Sequence, residues 1–145
     1  MGSGWDPLDE RAAPARHRVL ALVYAVPGIG WTVATLAVLV YERQRGELPM
    51  TPFGWRLLGG PYPEIGTERL TSLGWVLAWL LVAVSLVDVL IGRWLWQGRR
   101  RGAALALVMA PASLALGLLF DLPYLLVMAP LRAIAAAVAW RDLHR

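Results

Sequence analysis

Two charged side chains stand inside long apolar runs of this sequence: Asp88 in the second run and Arg132 in the fourth. A charged residue near the centre of a bilayer costs roughly 2.5–3.5 kcal/mol, so each of them needs a partner or a function. Asp88 lies nine residues before Gln97, and Arg132 lies eight residues before Trp140. Both runs are predicted to end on the same side of a membrane, which places the two side chains at matching depths. We therefore predict that Asp88 and Arg132 form a charge pair, directly or through water.

The sequence is also compatible with a second arrangement of Asp88 and Arg132. In it, Arg132 extends its long side chain to the membrane surface. Asp88 is then protonated and hydrogen-bonds to Ser85 or Thr35, both of which belong to apolar runs.

Asp121 follows the third apolar run. An Asp just before Leu122 and Pro123 is suited to accept backbone N–H groups at the start of the next helix, so we predict that it is the N-cap of the fourth helix. The functional alternative is an acid that lines an outward opening and pairs with Arg56 or Arg69.

The residues that catalysis and metal binding need are scarce. The two histidines, His17 and His144, lie near the chain ends without a clustered acid or a second ligand, so we expect solvated surface side chains. The sequence has no Cys, which excludes disulfides and thiolate metal sites. We expect no catalytic residue, no metal site and no cofactor, and we do not expect an enzyme.

Four apolar segments must position the charged pair. Hydrophobic residues make up 58% of the 145 residues, and helices of about 20 residues cross a hydrocarbon layer of roughly 30 Å. We predict an all-α, integral membrane four-helix bundle that forms one domain. The spans are predicted near residues 19–41, 72–96, 103–120 and 123–140 of the domain 1–145. Prolines inside three spans each remove a backbone hydrogen bond and are expected to kink the helix; they are Pro27, Pro111 and Pro130.

The second span carries a stripe of small and polar residues at alternating spacings of four and three. Its members are Gly74, Ala78, Leu81, Ser85, Asp88, Gly92 and Leu95. Small residues let membrane helices approach closely, so this stripe is the predicted packing face. Side chains elsewhere on the same helix are predicted to face lipid, namely Trp75, Trp79, Val82 and Leu86.

Residues 42–71 form the sizeable connection, which we predict to be extracytoplasmic. Residues 51–58 are predicted to form a short helix stopped by two glycines, with Phe53 and Trp55 dipping into the headgroup boundary. Thr67 is the predicted N-cap of the second helix.

Orientation follows from the 14 basic residues, all of which are Arg. Nine of them flank the two termini and the turn at 93–101, and four lie in the connection 42–71. By the positive-inside rule, both termini are cytoplasmic. The absence of Lys and Asn beside abundant Ala, Leu, Gly and Arg is typical of GC-rich coding, so we predict a bacterial multi-pass protein of the inner, or plasma, membrane.

The turn after the second span concentrates positive charge, because Arg99, Arg100 and Arg101 closely follow Trp94 and Trp96. Guanidinium groups beside amphipathic rings predict contact with anionic lipid headgroups. We therefore expect the positive net charge of +4 to bind anionic membrane lipids. Because the Arg residues flank the spans, we expect no nucleic acid partner.

Residues 92–102, GRWLWQGRRRG, followed by an Ala/Leu-rich span and then residues 123–140, resemble the central turn of small four-span bacterial membrane proteins of DoxX-like layout. That resemblance implies a four-helix inner-membrane protein. It transfers no catalytic residue to this chain.

Three functions are compatible with this pattern. The first is a noncatalytic membrane protein that packs with itself, with a larger membrane complex or with a specific lipid. The second is a small transporter or channel in which Asp88 binds a proton or cation. The third is an intramembrane enzyme or hydrophobic-ligand binder that uses Asp88, Arg132 and Asp121 around one cavity. A wet cavity at Asp88 favours the second or third function, and a dry bundle favours the first.

Overall fold

The computed structural model describes residues 15–54 and 56–143, and its named elements are all helical. Four α-helices follow one another: α1 at Ala15–Arg45, α2 at Ser72–Trp96, α3 at Arg100–Leu119 and α4 at Pro123–Ala139. A single 3₁₀ turn, Trp140–Asp142, follows α4. The predicted all-α class with four helices is confirmed.

Three of the helices, α1, α2 and α3, are long and apolar enough to cross a membrane. The fourth is shorter, because α4 has 17 residues. At 1.5 Å per residue it is about 25 Å long, which is less than the roughly 30 Å of a typical hydrocarbon core. A fourth span stays a prediction, as do bends at Pro27, Pro111 and Pro130, through which the helices continue.

The helices pack around a ring in chain order, with α1 on α2, α2 on α3 and α3 on α4. The ring closes through α4 and α1, which contact each other least of the four neighbouring pairs. α2 and α4 therefore lie across the bundle from each other. α3 and α4 are neighbours because only residues 120–122 connect them.

The predicted packing face of α2 is confirmed, because all seven residues of the stripe are buried. Two glycines explain how closely α1 approaches this face. A Cβ added to Gly28 would lie 2.8 Å from the carbonyl oxygen of Ser85, and one added to Gly92 would lie 2.7 Å from that of Ala21. Of the four side chains predicted to face lipid, Trp79 and Leu86 are exposed, Trp75 is half-buried against the apolar cluster, and Val82 is buried. The prediction for Val82 is wrong because the buried face of α2 is wider than one stripe.

The connection between α1 and α2 folds onto one end of the bundle. Leu48, Leu58, Ile65 and Leu70 are buried there in one cluster with Phe120. The predicted short helix at 51–58 is wrong: the described residues of that segment form turns and an isolated antiparallel bridge between Met50 and Arg56. Burial of Leu58 against the helices stabilises the turns in place of a local helix. Phe53 is 85% exposed, and Trp55 lies outside the described residues.

Both predicted N-caps are wrong. α2 begins at Ser72 and is capped by Thr71, whose side-chain oxygen accepts the N–H of Gly74, so Thr67 lies in the connection. The N-cap of α4 is Leu122, which makes no side-chain capping bond. Asp121 is exposed, has φ of +50° and lies in the turn before the N-cap.

Candidate functional site

A buried charge pair joins α2 to α4. Nη1 of Arg132 donates a hydrogen bond to Oδ2 of Asp88 at 3.1 Å. Arg132 is 3% exposed and Asp88 is 6% exposed. In so little solvent, the attraction between the two charges is screened far less than at a surface. Each group thus offsets much of the cost of burying the other, whereas removal of one partner leaves an uncompensated buried charge.

Tyr24 of α1 completes this cluster. The Cζ atom of Arg132 lies 4.7 Å from the centroid of the Tyr24 ring, within the range of a cation–π contact. The guanidinium therefore contacts a carboxylate on one helix and a π face on another. Tyr24 was not predicted from the sequence. Its depth matches that of Asp88 and Arg132 only when it is counted from the observed start of α1 at Ala15, whereas the predicted first span begins near residue 19.

The charged cluster lies at the centre of the bundle, between two apolar clusters. One apolar cluster includes Leu81 and Val84 on α2, and the other includes Ile91 and Leu95, about two to four turns further along the same helix. Asp88 falls between them. The charge pair therefore has apolar packing on both sides along the bundle axis.

The spacing of small residues explains why the sequence folds this way locally. Ala129 and Ala136 flank Arg132 on the buried face of α4. On α1, a Cβ added to Gly28 would lie 3.1 Å from the Cβ of Asp88. The absence of a side chain at Gly28 lets the α1 backbone cover the acid.

The cavity at the charge pair is very small. Its volume is about 10 Å³, and its walls come from all four helices, with Tyr24, Asp88, Ser113 and Arg132 as the polar contributors. A cavity needs roughly 10–15 Å³ to hold a single water molecule. The space is thus at the lower limit for one water and is no water-filled route to Asp88. Nε of Arg132 is buried and has no hydrogen-bond partner among the described residues.

The structure separates the other polar residues that the sequence singled out. Ser85 is buried one turn before Asp88. Thr35 is buried too, but it lines a different small cavity with Leu58 at the end of the bundle that the connection covers. It is two turns beyond Gly28 on α1, whereas Asp88 packs beside Gly28. Asp121 lies at that same end.

Asp121 and Arg56 line one open cleft of about 580 Å³ between the connection and the turn that joins α3 to α4. Arg56 also forms an ion pair with Glu68 at 3.7 Å. Arg69 lies elsewhere, beside Gly46. The cleft is at the opposite end of the bundle from the start of α1 and the end of α4, and Asp121 does not share a cavity with Asp88 and Arg132.

The three arginines of the basic turn between α2 and α3 have different surroundings. Arg99 and Arg101 are exposed, while Nε of Arg100 donates to the backbone oxygen of Leu143 at 2.7 Å. Arg100 therefore ties this turn to the segment after α4. Trp94 is half-buried, and Trp96 is 48% exposed. The Cζ atom of Arg18 lies 5.6 Å from the centroid of the Trp96 ring.

The prediction of a solvated His17 is wrong. His17 is 1% exposed, because it lies on the face of α1 that also carries the buried Leu20, Ala21 and Tyr24. His144 lies outside the described residues. Across the described parts of the chain, no group of three His, Cys, Asp or Glu residues is placed to hold a metal ion.

No protein-family model, curated protein or solved structure matches this chain. The DoxX-like resemblance of residues 92–102 stays a prediction from the sequence. Fold and site define an all-helical protein with three helices able to cross a membrane and a charge pair at its centre.

Proposed function

We propose that the chain is a noncatalytic, multi-pass protein of the bacterial cell membrane that acts by packing with itself, with a larger membrane complex or with a specific lipid. The observation that carries this proposal is the closed charge pair: the cavity beside Asp88 has a volume of about 10 Å³. Arg132 and Tyr24 occupy the space in which a transported ion or a substrate would have to contact the acid.

The outward faces of the helices support placement in a membrane. Each helix exposes large apolar side chains to its surroundings, as the exposures of Val26 (62%), Val76 (65%), Val108 (71%) and Val138 (73%) illustrate. Soluble monomers rarely leave apolar patches of this extent in water. α4 shares this exposed apolar surface. Its 17 residues lie at the lower end of the roughly 17–25 residues of membrane helices.

The distribution of charge supports four spans with both termini in the cytoplasm. Arg16, Arg18, Arg93 and the basic turn at 99–101 lie at one end of the bundle, as does Arg141. Four Arg residues lie between α1 and α2 or at the adjoining end of α1. The positive-inside rule places the richer end in the cytoplasm. The DoxX-like layout implies the same membrane.

A flux assay tests the noncatalytic function against the transporter alternative. The purified chain is reconstituted into vesicles that contain a pH-sensitive dye, and an ion gradient is imposed. We expect proton and potassium fluxes equal to those of vesicles without protein, for the wild type and for Asp88→Asn. A wild-type flux that Asp88→Asn abolishes would overturn the proposal and make Asp88 a transport site.

A further inference from the structure

A groove runs between α1 and α4, the neighbouring helices that contact each other least. Its volume is about 480 Å³, within the roughly 300–1,000 Å³ of small-molecule sites. The walls are largely apolar, with Val19, Leu20 and Val23 on α1 and Leu131, Ala135 and Val138 on α4. Arg132 contributes to this groove and to the small central cavity, so the occupant of the groove lies next to the charge pair.

The groove has the length of one membrane leaflet. On α4 its lining extends from Met128 to Ala139, and at 1.5 Å per residue these two ends are about 16 Å apart along the helix. Half of a typical hydrocarbon core is about 15 Å. The groove opens at the end of the bundle where α1 begins and α4 ends, and it stops near mid-depth. An acyl chain from the adjacent leaflet fits this extent.

The rim of the groove is basic. Arg16 lines it at the end where α1 begins. Further exposed arginines lie at the same end of the bundle, among them Arg18, Arg99 and Arg141. The charge of the rim thus complements an anionic headgroup above an apolar chain.

We propose that the groove between α1 and α4 binds one anionic phospholipid of the leaflet at the Arg-rich end, with an acyl chain along the apolar walls and the phosphate at Arg16. This proposal rests on the membrane location proposed above and names the lipid class. The bound acyl chain excludes water from the side of Arg132 that borders the groove. The site therefore couples lipid occupancy to the stability of the charge pair.

Lipid retention by the full-length chain tests the site. The protein is purified in detergent, exchanged into mixed micelles with equal amounts of phosphatidylglycerol and phosphatidylcholine, and analysed by native mass spectrometry. We expect one retained phosphatidylglycerol per wild-type chain. Val19→Trp fills the groove from α1 and should abolish retention, whereas Val26→Trp should retain the lipid, because Val26 is equally exposed (62% against 61%) but lies outside the groove.

A second pair of variants fills the groove from α4, so that the conclusion does not depend on one substitution. Ala135→Phe should abolish retention, and Ala137→Phe should not, since both alanines are exposed but only Ala135 lines the groove. Arg16→Gln should lower the preference for phosphatidylglycerol by roughly fivefold, the loss of one guanidinium contact near anionic lipid. Arg43→Gln, at an exposed position near the opposite end of the bundle, is the control and should leave the preference unchanged.

Each outcome decides between occupants. Equal retention in Val19→Trp, Ala135→Phe and wild type overturns the site, and equal binding of the two lipids by the wild type overturns the headgroup assignment. The same variants are also treated with a chemical crosslinker. If the wild type forms a crosslinked dimer that Val19→Trp and Ala135→Phe abolish, then the occupant of the groove is a second copy of the chain. Alkaline carbonate extraction is done first: release of the wild type from membranes would refute the membrane location itself, independently of the lipid result.

Discussion

Nη1 of Arg132 donates to Oδ2 of Asp88 across a distance of 3.1 Å, and this contact joins the two helices that lie opposite each other in the bundle. Neighbouring helices have extensive apolar contacts of their own, but α2 and α4 do not form one of the four neighbouring pairs. The ion pair, with Tyr24 against the guanidinium, therefore fixes α4 relative to α1 and α2. The same contact fills the centre of the bundle.

The close approach of α1 to α2 predicts an asymmetry between two glycines of α1. Gly28→Ala places a methyl group 2.8 Å from the Ser85 carbonyl oxygen, which should cost about 1–3 kcal/mol of unfolding free energy through overpacking. Gly30→Ala meets no atom within 4 Å and should be neutral or stabilising by less than about 1 kcal/mol. Unfolding in mixed detergent micelles measures both variants. Equal effects would show that the helices do not meet at Gly28.

The N-terminus of α2 predicts a difference between two threonines. The hydroxyl oxygen of Thr71 accepts the N–H of Gly74 at 3.1 Å, and the carbonyl oxygens of Glu64 and Ile65 lie within reach of the same hydroxyl. Thr71→Ala removes the cap and should cost about 1–2 kcal/mol. Thr67→Ala, at an exposed position, should change stability by less than about 0.5 kcal/mol. A larger loss for Thr67→Ala would place the cap where the sequence pattern suggested.

The proposed topology predicts opposite labelling at the two ends of the bundle. The chain has no native Cys, so single substitutions give no background. Phe53→Cys lies at an 85% exposed position of the connection. It should react with a membrane-impermeant maleimide in spheroplasts whose inner membrane is intact. Arg141→Cys should react only after lysis. Labelling of Arg141→Cys before lysis, or protection of Phe53→Cys, would reverse the orientation.

The basic turn predicts separate effects for its three arginines. Replacing the exposed Arg99 and Arg101 with Gln should weaken retention of anionic lipid, because each guanidinium contributes about 1 kcal/mol near such a surface. Arg100→Gln should instead lower stability by about 1 kcal/mol through loss of its bond to the Leu143 backbone oxygen. Lipid analysis and thermal unfolding of the purified variants separate the two effects. Unchanged lipid content and unchanged orientation in the Arg99 and Arg101 double variant would leave the turn without a lipid role.

The packing face of α2 was predictable because its signal is local. A span longer than six turns repeats the same small residues at fixed spacings, so their common face follows from helix geometry alone. Val82 was misplaced because burial also depends on where the neighbouring helices lie, which the spacing within α2 does not record. The same reason explains Tyr24: an aromatic ring in an apolar run shows no partner until another helix brings Arg132 to it.

The connection and the caps were predicted less well, since they depend on tertiary contacts. Leu58 is buried against the bundle and adopts φ of +61°, a conformation that local propensity disfavours for a residue with a side chain. Asp121 has the residue type of an N-cap, but the turn between α3 and α4 gives that position to Leu122. In both cases packing overrides the local preference.

A double-mutant cycle on Asp88 and Arg132 tests the central claim most directly, namely that the two groups form one closed structural pair. Asp88→Asn and Arg132→Gln should each lower the free energy of unfolding in detergent by about 3 kcal/mol, because each leaves a buried charge without its partner. The double variant should be no less stable than the poorer single variant, which gives a coupling of about 3 kcal/mol. Additive losses, with the double variant about 6 kcal/mol below wild type, would contradict the account.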